Sequence, residues 1–381
     1  GIESLLALQQ ASRTMALTDG DLERIFSGNA RQLLGIGTAA TGTLVQEQYR
    51  AAREIIPGGT QLLSKRPEMF APGQWPAYYE QAIGCEVVDT SGRRFIDMSL
   101  GGILACILGY ADPDVNAAVI RRVHLGSMAT QQTHDEVRLA KLLLEIHPWA
   151  ERARFTRTGG EAAAVAVRIA RAATGREKAA ICGYHGWHDW YQSAQHLDDP
   201  KLASGVQPIG VPRALAGTAI PFAEGDLDRL RRLLDENRGE VAAIMMEPMR
   251  SKIPEEGYLE TIKKLAHDNG AVLIFDEVSC GWRIAIGGAQ EYYGITPDMT
   301  VVAKCISNGY PMGAVVGKRE FMEPAADMFI SSSYWSDNIG LTASITTIRE
   351  LKRRHSPTRF KEIGDNIRAA LKDAIDDVGI S

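Results

Sequence analysis

Lys304 stands 28 residues beyond Asp276, and each follows a short apolar run, Val301-Val302-Ala303 before the lysine and Val272-Leu273-Ile274-Phe275 before the aspartate. A primary amine placed after a strand can hold an aldehyde as a Schiff base. A carboxylate near it can keep a ring nitrogen protonated, so that the ring draws electrons from whatever is attached. The pair therefore points to an aldehyde cofactor with a pyridine ring, and pyridoxal 5'-phosphate answers that description. Glu247 follows the run Val241–Met246 and Tyr184-His185 follows the segment containing Ile181, which adds two further polar sites after apolar runs. Singly each has an ordinary use, as a solvated lysine, a helix-capping acid or a core tyrosine. Meeting at one edge of a sheet, they would form a site together.

A phosphate needs a cradle of its own, and Thr158-Gly159-Gly160-Glu161-Ala162-Ala163 offers one. Two glycines opening an alanine-rich helix let backbone N–H groups approach an anion at the positive end of the helix dipole, and Thr158 can add a hydroxyl. In Cys182-Gly183-Tyr184-His185-Gly186-Trp187-His188-Asp189, the cysteine and two histidines have a loose metal-ligand spacing with no second cluster to complete it, so no metal is expected. Tyr184, on a glycine-flanked loop, is better placed to stack on a planar ring, with His185 either bonding near that ring or shaping the loop. The Asp276-Glu277 ending also resembles the magnesium strand of a nucleotide hydrolase. That chemistry requires a G-x-x-x-x-G-K-[ST] loop, and Gly317-Lys318 is followed by Arg319 with the wrong glycine spacing. A G-x-S-x-G elbow for a serine hydrolase is also missing.

The elements that must position these residues are legible between 150 and 320. Apolar runs at Ala179–Cys182, Val241–Met246, Val272–Phe275, Thr300–Ala303 and Ala314–Val316 alternate with helical segments at Glu161–Ala173, Asp226–Glu236 and Tyr258–Asn269. Strands that are apolar throughout and alternate with helices imply an α/β fold, with a mainly parallel sheet covered on both faces and ligands beyond the carboxyl ends of its strands. Upstream, a helix over Gln46–Ile56 stops at Pro57-Gly58-Gly59, and Thr90-Ser91-Gly92-Arg93 joins two strands as a hairpin. Residues 1–34 read as helical and run into the Gly- and Thr-rich linker 35–42.

From about residue 44 the chain resembles the class III pyridoxal-phosphate aminotransferases, and most closely their glutamate-1-semialdehyde aminomutase-like branch. The resemblance is carried, in order, by Ile56-Pro57-Gly58-Gly59, Thr158-Gly159-Gly160-Glu161-Ala162, Tyr184-His185-Gly186, Phe275-Asp276-Glu277-Val278 with Gly281-Trp282-Arg283, and Lys304 before Asn308-Gly309-Tyr310-Pro311-Met312-Gly313. It implies a fold type I transferase with a seven-stranded, mainly parallel central sheet flanked by helices, and a small α+β domain. Its roles would be Lys304 as Schiff-base lysine, Asp276 on the pyridine nitrogen, Tyr184 and Val278 on the two ring faces, and Gly159 and Gly160 at the phosphate. Where the family has Ser-Gly-Thr-Glu-Ala this chain has glycine at 160, which removes one hydroxyl. Ser333 takes the place of a threonine that reaches the phosphate of the neighbouring subunit, so a homodimer with a shared active site is implied. The segment Ser331–Gly340 lacks the family's Gly-Asn-Pro-Leu, as in relatives acting on sugar or specialised-metabolite intermediates.

The implied organisation is a helical extension and linker (1–43), the N-terminal part of a small domain (44–110), a large cofactor-binding domain (111–345) and the start of a C-terminal small domain (346–381) that is cut short. Residues 25–34 also resemble the end of an amidohydrolase, without that family's metal motifs. The expected activity moves an amino group between an amine or amino acid and a carbonyl compound, as an aminotransferase or aminomutase. An epimerase or decarboxylase on the same scaffold, or a non-catalytic domain of a fusion, are the other readings. A formal charge of −5 argues against a nucleic-acid partner. Five cysteines without paired spacing suit a reducing cytoplasm, and neither a long apolar span nor a leader-like opening suggests a membrane or export.

Overall fold

The structure, a computed structural model, describes residues 44–197, 208–250 and 252–378. The helix and linker expected within 1–43 lie outside them. Two compact units are formed. In the first, residues 44–103 with 109–111, helix α1 (Leu44–Ile55) precedes an antiparallel sheet of β1 (Tyr79–Ile83), β2 (Glu86–Asp89) and β3 (Arg94–Ile96). The expected hairpin is present. Buried Asp89 organises its turn by accepting from the Ser91 and Arg93 amides at 2.9 and 3.0 Å, which satisfies donors the tight turn leaves unpaired.

The second unit, residues 104–108 and 112 onward, opens with helices α2 (Pro113–His124) and α3 (His134–Ile146) and is built on seven strands. These are β4 (Arg152–Thr156), β5 (Lys178–Cys182), β6 (Ala219–Pro221), β7 (Val241–Met246), β8 (Val272–Asp276), β9 (Met299–Val302) and β10 (Gly313–Gly317), in the order β4-β10-β9-β8-β7-β5-β6. Pairings from β9 through β8, β7 and β5 to β6 are parallel, while β10 runs antiparallel to both its neighbours. The expectation of a mainly parallel sheet therefore holds, with one reversed strand.

Alternation along the strands sorts their side chains between two cores. Ile181, Met245 and Ile274 face one way and pack with Ala162, Ala166 and Ile169 of helix α4 (Gly159–Thr174). Cys182, Met246 and Phe275 face the other way, onto Leu230 and Leu233 of α5 (Leu227–Glu236) and Ile262 of α6 (Tyr258–Asp268). Both faces being dry is why the central strands read as unbroken apolar runs. Helix α7 (Ile339–Arg353) covers the β4–β10–β9 end through Leu341, Ile345 and Ile348, and α8 (Ser356–Val378) follows it. Among the described residues no helix is long and apolar enough to cross a membrane.

Candidate active site

The carboxyl ends of β5, β7, β8 and β9 point the same way, because those strands are parallel neighbours, and the polar residues after each run meet there. A cavity of about 310 Å³ is lined by Thr158, Gly159, Gly160, Tyr184, His185, Asp276, Val278 and Lys304, all eight singled out from the sequence. Glu247 and Ser333 do not line it. Glu247 sits behind the wall, where its Oε2 accepts from the Tyr184 amide at 3.0 Å and so holds the loop that carries the tyrosine. Gly183 is required for that contact: its φ is +111°, and a Cβ there would stand 2.4 Å from Glu247 Oε2. Ser333 opens an exposed turn, Ser333–Ser336.

Asp276 is the last residue of β8 and is 3% exposed. Its Oδ2 lies 2.7 Å from His185 Nδ1, and its Oδ1 accepts from the Val278 amide at 3.0 Å. A buried carboxylate with these two partners is fixed in direction and keeps lone pairs for a third group. His185 is itself buried, and among the described residues its Nε2 has no partner.

Lys304 begins a 3₁₀ turn after β9 with φ +44°, a conformation that L-residues rarely adopt. Its Nζ donates to Ser279 Oγ at 2.8 Å. Burial pulls the Lys304 ammonium below the ordinary lysine range; Asp276 opposes this and the Arg283 guanidinium reinforces it. Burial also pushes the Glu247 carboxyl up, with Asp276 adding to the rise.

At the other end of the cavity, Thr158 caps α4 in a reciprocal box: its hydroxyl accepts from the Glu161 amide at 3.2 Å, and Glu161 Oε2 accepts from the Thr158 amide at 2.9 Å. The first helical bond is Ala162 N to Thr158 O at 3.1 Å. Among the described residues, therefore, no acceptor faces the amides of Gly159 or Gly160. The space beside them is tight: a Cβ on Gly159 would lie 3.0 Å from Val278 Cγ1, and one on Gly186 would lie 2.8 Å from Gly160 Cα.

A model of the class-III aminotransferases matches residues 69–379. The chain belongs to that family. It is 33% identical over 340 residues to 3-aminobutyryl-CoA aminotransferase of Cloacimonas acidaminovorans, covering 87% of this chain and 78% of that one. It is also 33% identical over 347 residues to glutamate-1-semialdehyde 2,1-aminomutase of Methanobrevibacter smithii, covering 88% and 79%. An omega-transaminase structure from Sphaerobacter thermophilus superposes with a TM-score of 0.79 at 30% identity, covering 89% of this chain and 80% of that one. This class-III aminotransferase is thus an enzyme of the fold type I transferases, and pyridoxal phosphate is its cofactor.

The residues present fit that group. Two unclaimed amides at a helix N-terminus suit a phosphate, a buried carboxylate with free lone pairs suits a protonated ring nitrogen, and a half-buried amine suits an aldehyde. The loose Cys182, His185, His188 spacing leads elsewhere: burial pushes the Cys182 thiol up to about 12, His185 is turned to Asp276, and His188 packs on Gly160. Among the described residues no three acidic, cysteine or histidine side chains gather as metal ligands would.

Sequence reasoning missed Ser279 and Arg157 in the cavity wall. Ser279 carried no signal, because its direction is set by the irregular turn after β8. Arg157 is held by the carbonyls of Trp335 and Asp337 at 2.7 and 2.6 Å, residues remote in sequence.

Glu277, beside Asp276, does a different job. It is fully buried, its Oε2 accepts from the Ala289 amide at 2.6 Å, and burial pushes its carboxyl up to about 8. A carboxyl whose folded pKa lies above its unfolded value of about 4.3 contributes stability that is complete below the lower value and lost as pH rises through the upper one. Glu277→Gln should accordingly flatten the fall in thermal midpoint between about pH 5 and 8. Equal slopes for the variant and the parent would show that Glu277 does not titrate in this way.

Proposed function

We propose that this class-III aminotransferase moves an amino group between a small-molecule amino donor and a carbonyl acceptor, or between two carbons of one substrate as an aminomutase, with Lys304 and Asp276 as its catalytic residues. One observation carries the reading: the two residues close adjacent parallel strands and line one cavity with the open amides of Gly159 and Gly160. Thr158, Gly159 and Gly160 would hold the phosphate, Tyr184 and Val278 the ring faces, Asp276 the ring nitrogen with His185 behind it, and Lys304 the aldehyde. When bound, pyridoxal phosphate supplies a carbonyl carbon for amines and a ring that accepts the electron pair left when a proton departs.

The chain's own residues do the rest. Lys304 Nζ, held off its ordinary ammonium range by burial, is free more often to take a proton at the carbon next to the amine and return it elsewhere. Asp276, aimed by His185 and the Val278 amide, would hold a positive ring nitrogen in surroundings with little water, where such a pairing is strongest. Glu247 keeps Tyr184 at the cavity mouth.

The reading extends to a homodimer in the cytoplasm in which Ser333 reaches the partner's phosphate. The exposed setting of Ser333 outside its own cavity and five cysteines without paired spacing support it. Light scattering after size exclusion should give twice the 41.5 kDa mass of the chain, and a species of single mass at micromolar concentration would contradict it. Activity itself is tested with amino donors and carbonyl acceptors supplied to the cofactor-loaded enzyme, followed by product formation.

A further inference from the structure

The cavity wall holds a residue for which the proposed roles so far have no use. Ser279 Oγ takes a hydrogen bond from Lys304 Nζ at 2.8 Å, and both side chains line the cavity. The serine is itself braced. Arg283 Nη1 donates to the Ser279 carbonyl at 2.9 Å, the same nitrogen contacts Cys305 Sγ in the residue after Lys304, and Nη2 reaches the Leu104 carbonyl at 2.5 Å. One guanidinium thus ties together the turn carrying the acceptor and the turn carrying the amine. Lys304 has a left-handed backbone, so its stem leaves the 3₁₀ turn in a direction set by that strain rather than by a helix.

We infer that Ser279 is a positioning residue for Lys304: it holds the free amine against one wall of the cavity in both its charged and its neutral form. A hydroxyl suits this better than a carboxylate would, because it can accept from an ammonium and donate to an amine lone pair. The lysine then stays within reach of the reacting carbon whichever way the proton has moved. This rests on the reading of Lys304 as the catalytic lysine.

The other groups that bear on Lys304 are Asp276 at the end of β8, Glu247 after β7, Arg283 and Cys305, and none of them is a hydroxyl that could stand in. Removing the serine leaves a half-buried ammonium without this acceptor, and hydrogen bonds to a charged group are stronger than those to a neutral one. The charged form of Lys304 should therefore be lost at lower pH in Ser279→Ala.

The test uses the apoprotein. A pulse of acetic anhydride at a series of pH values, followed by peptide mass spectrometry, reports the fraction of Lys304 that is neutral. In Ser279→Ala the labelling midpoint should fall by about one pH unit, a tenfold change in the equilibrium, and Ser279→Thr should return it toward the parent. Cofactor binding, followed by absorbance, should stay within a few-fold, which shows the site is folded. With the cofactor loaded, kcat should fall more than KM changes, and its acid limb should move with the labelling midpoint. An unchanged midpoint in Ser279→Ala, in protein that still binds cofactor through Lys304, overturns the role of the serine alone. Loss of cofactor attachment to Lys304 in the parent protein would instead overturn the reading beneath it.

Discussion

Lys304→Ala is expected to lose amino-group transfer by roughly three orders of magnitude or more, since a general acid–base group contributes ~10²–10⁴-fold and this one would also hold the cofactor. The loss should be chemical rather than structural. Lys304 belongs to a short turn whose neighbours Cys305 and Ile306 carry the packing, and its Nζ bonds to the Ser279 hydroxyl. The thermal midpoint of the variant should thus stay close to the parent's, while pyridoxal phosphate becomes removable by dialysis. Truncation to alanine also vacates room beside Ser279, so a small primary amine such as methylamine should restore part of the rate in a concentration-dependent way. A variant that turns over at parental rates would place the chemistry on another residue.

Asp276→Asn should cost nearly as much in rate while keeping the shape of the site. A preorganised charge facing the place where charge develops is worth ~10²–10³-fold. The amide preserves the volume and one acceptor but removes the negative charge. Asp276→Ala should be worse in a second respect. It strips His185 Nδ1 of its partner at 2.7 Å inside a buried pocket, and leaving a buried polar group unpaired costs about 1–3 kcal/mol. The two variants should therefore separate: similar losses of kcat, but a lower thermal midpoint and weaker cofactor binding for alanine alone. Equal stability of the two would show that the Asp276–His185 contact contributes little to the fold.

The central strands were readable because burial on both faces makes them apolar throughout, so β5, β7, β8, β9 and β10 appear in the sequence within a residue or so of their ends. The flanks were harder to read. β4 runs Arg-Ala-Arg-Phe-Thr along an edge, with its first residue exposed, and β6 has only three residues and ends in a proline. Neither has the length or the pattern that marks a strand. The antiparallel direction of β10 could not be read from Ala314-Val315-Val316, because side-chain alternation is the same in either direction.

In the candidate site, Lys304, Asp276 and Tyr184 were legible because each sits at or just after the end of an apolar strand, and the Gly159-Gly160 pair because it opens an alanine-rich helix. The contacts that tune them were not: His185 to Asp276, Ser279 to Lys304 and Glu247 to the Tyr184 amide depend on side-chain directions in irregular turns. The same holds for Thr158, which lines the cavity but whose hydroxyl is committed as the cap of its own helix. Gly160 stands where relatives place a hydroxyl, and the structure fills the neighbouring space with the His188 ring, 3.1 Å from where a Cβ would be.

The attachment of vitamin B6 aldehyde to one nitrogen is the claim on which the other roles depend, and borohydride reduction of the cofactor-saturated protein followed by peptide mapping tests it most directly. A single pyridoxyl group on Lys304 Nζ, absent from Lys304→Ala, is the expected result. A label on any other lysine, or none in protein shown to bind the cofactor, would contradict it.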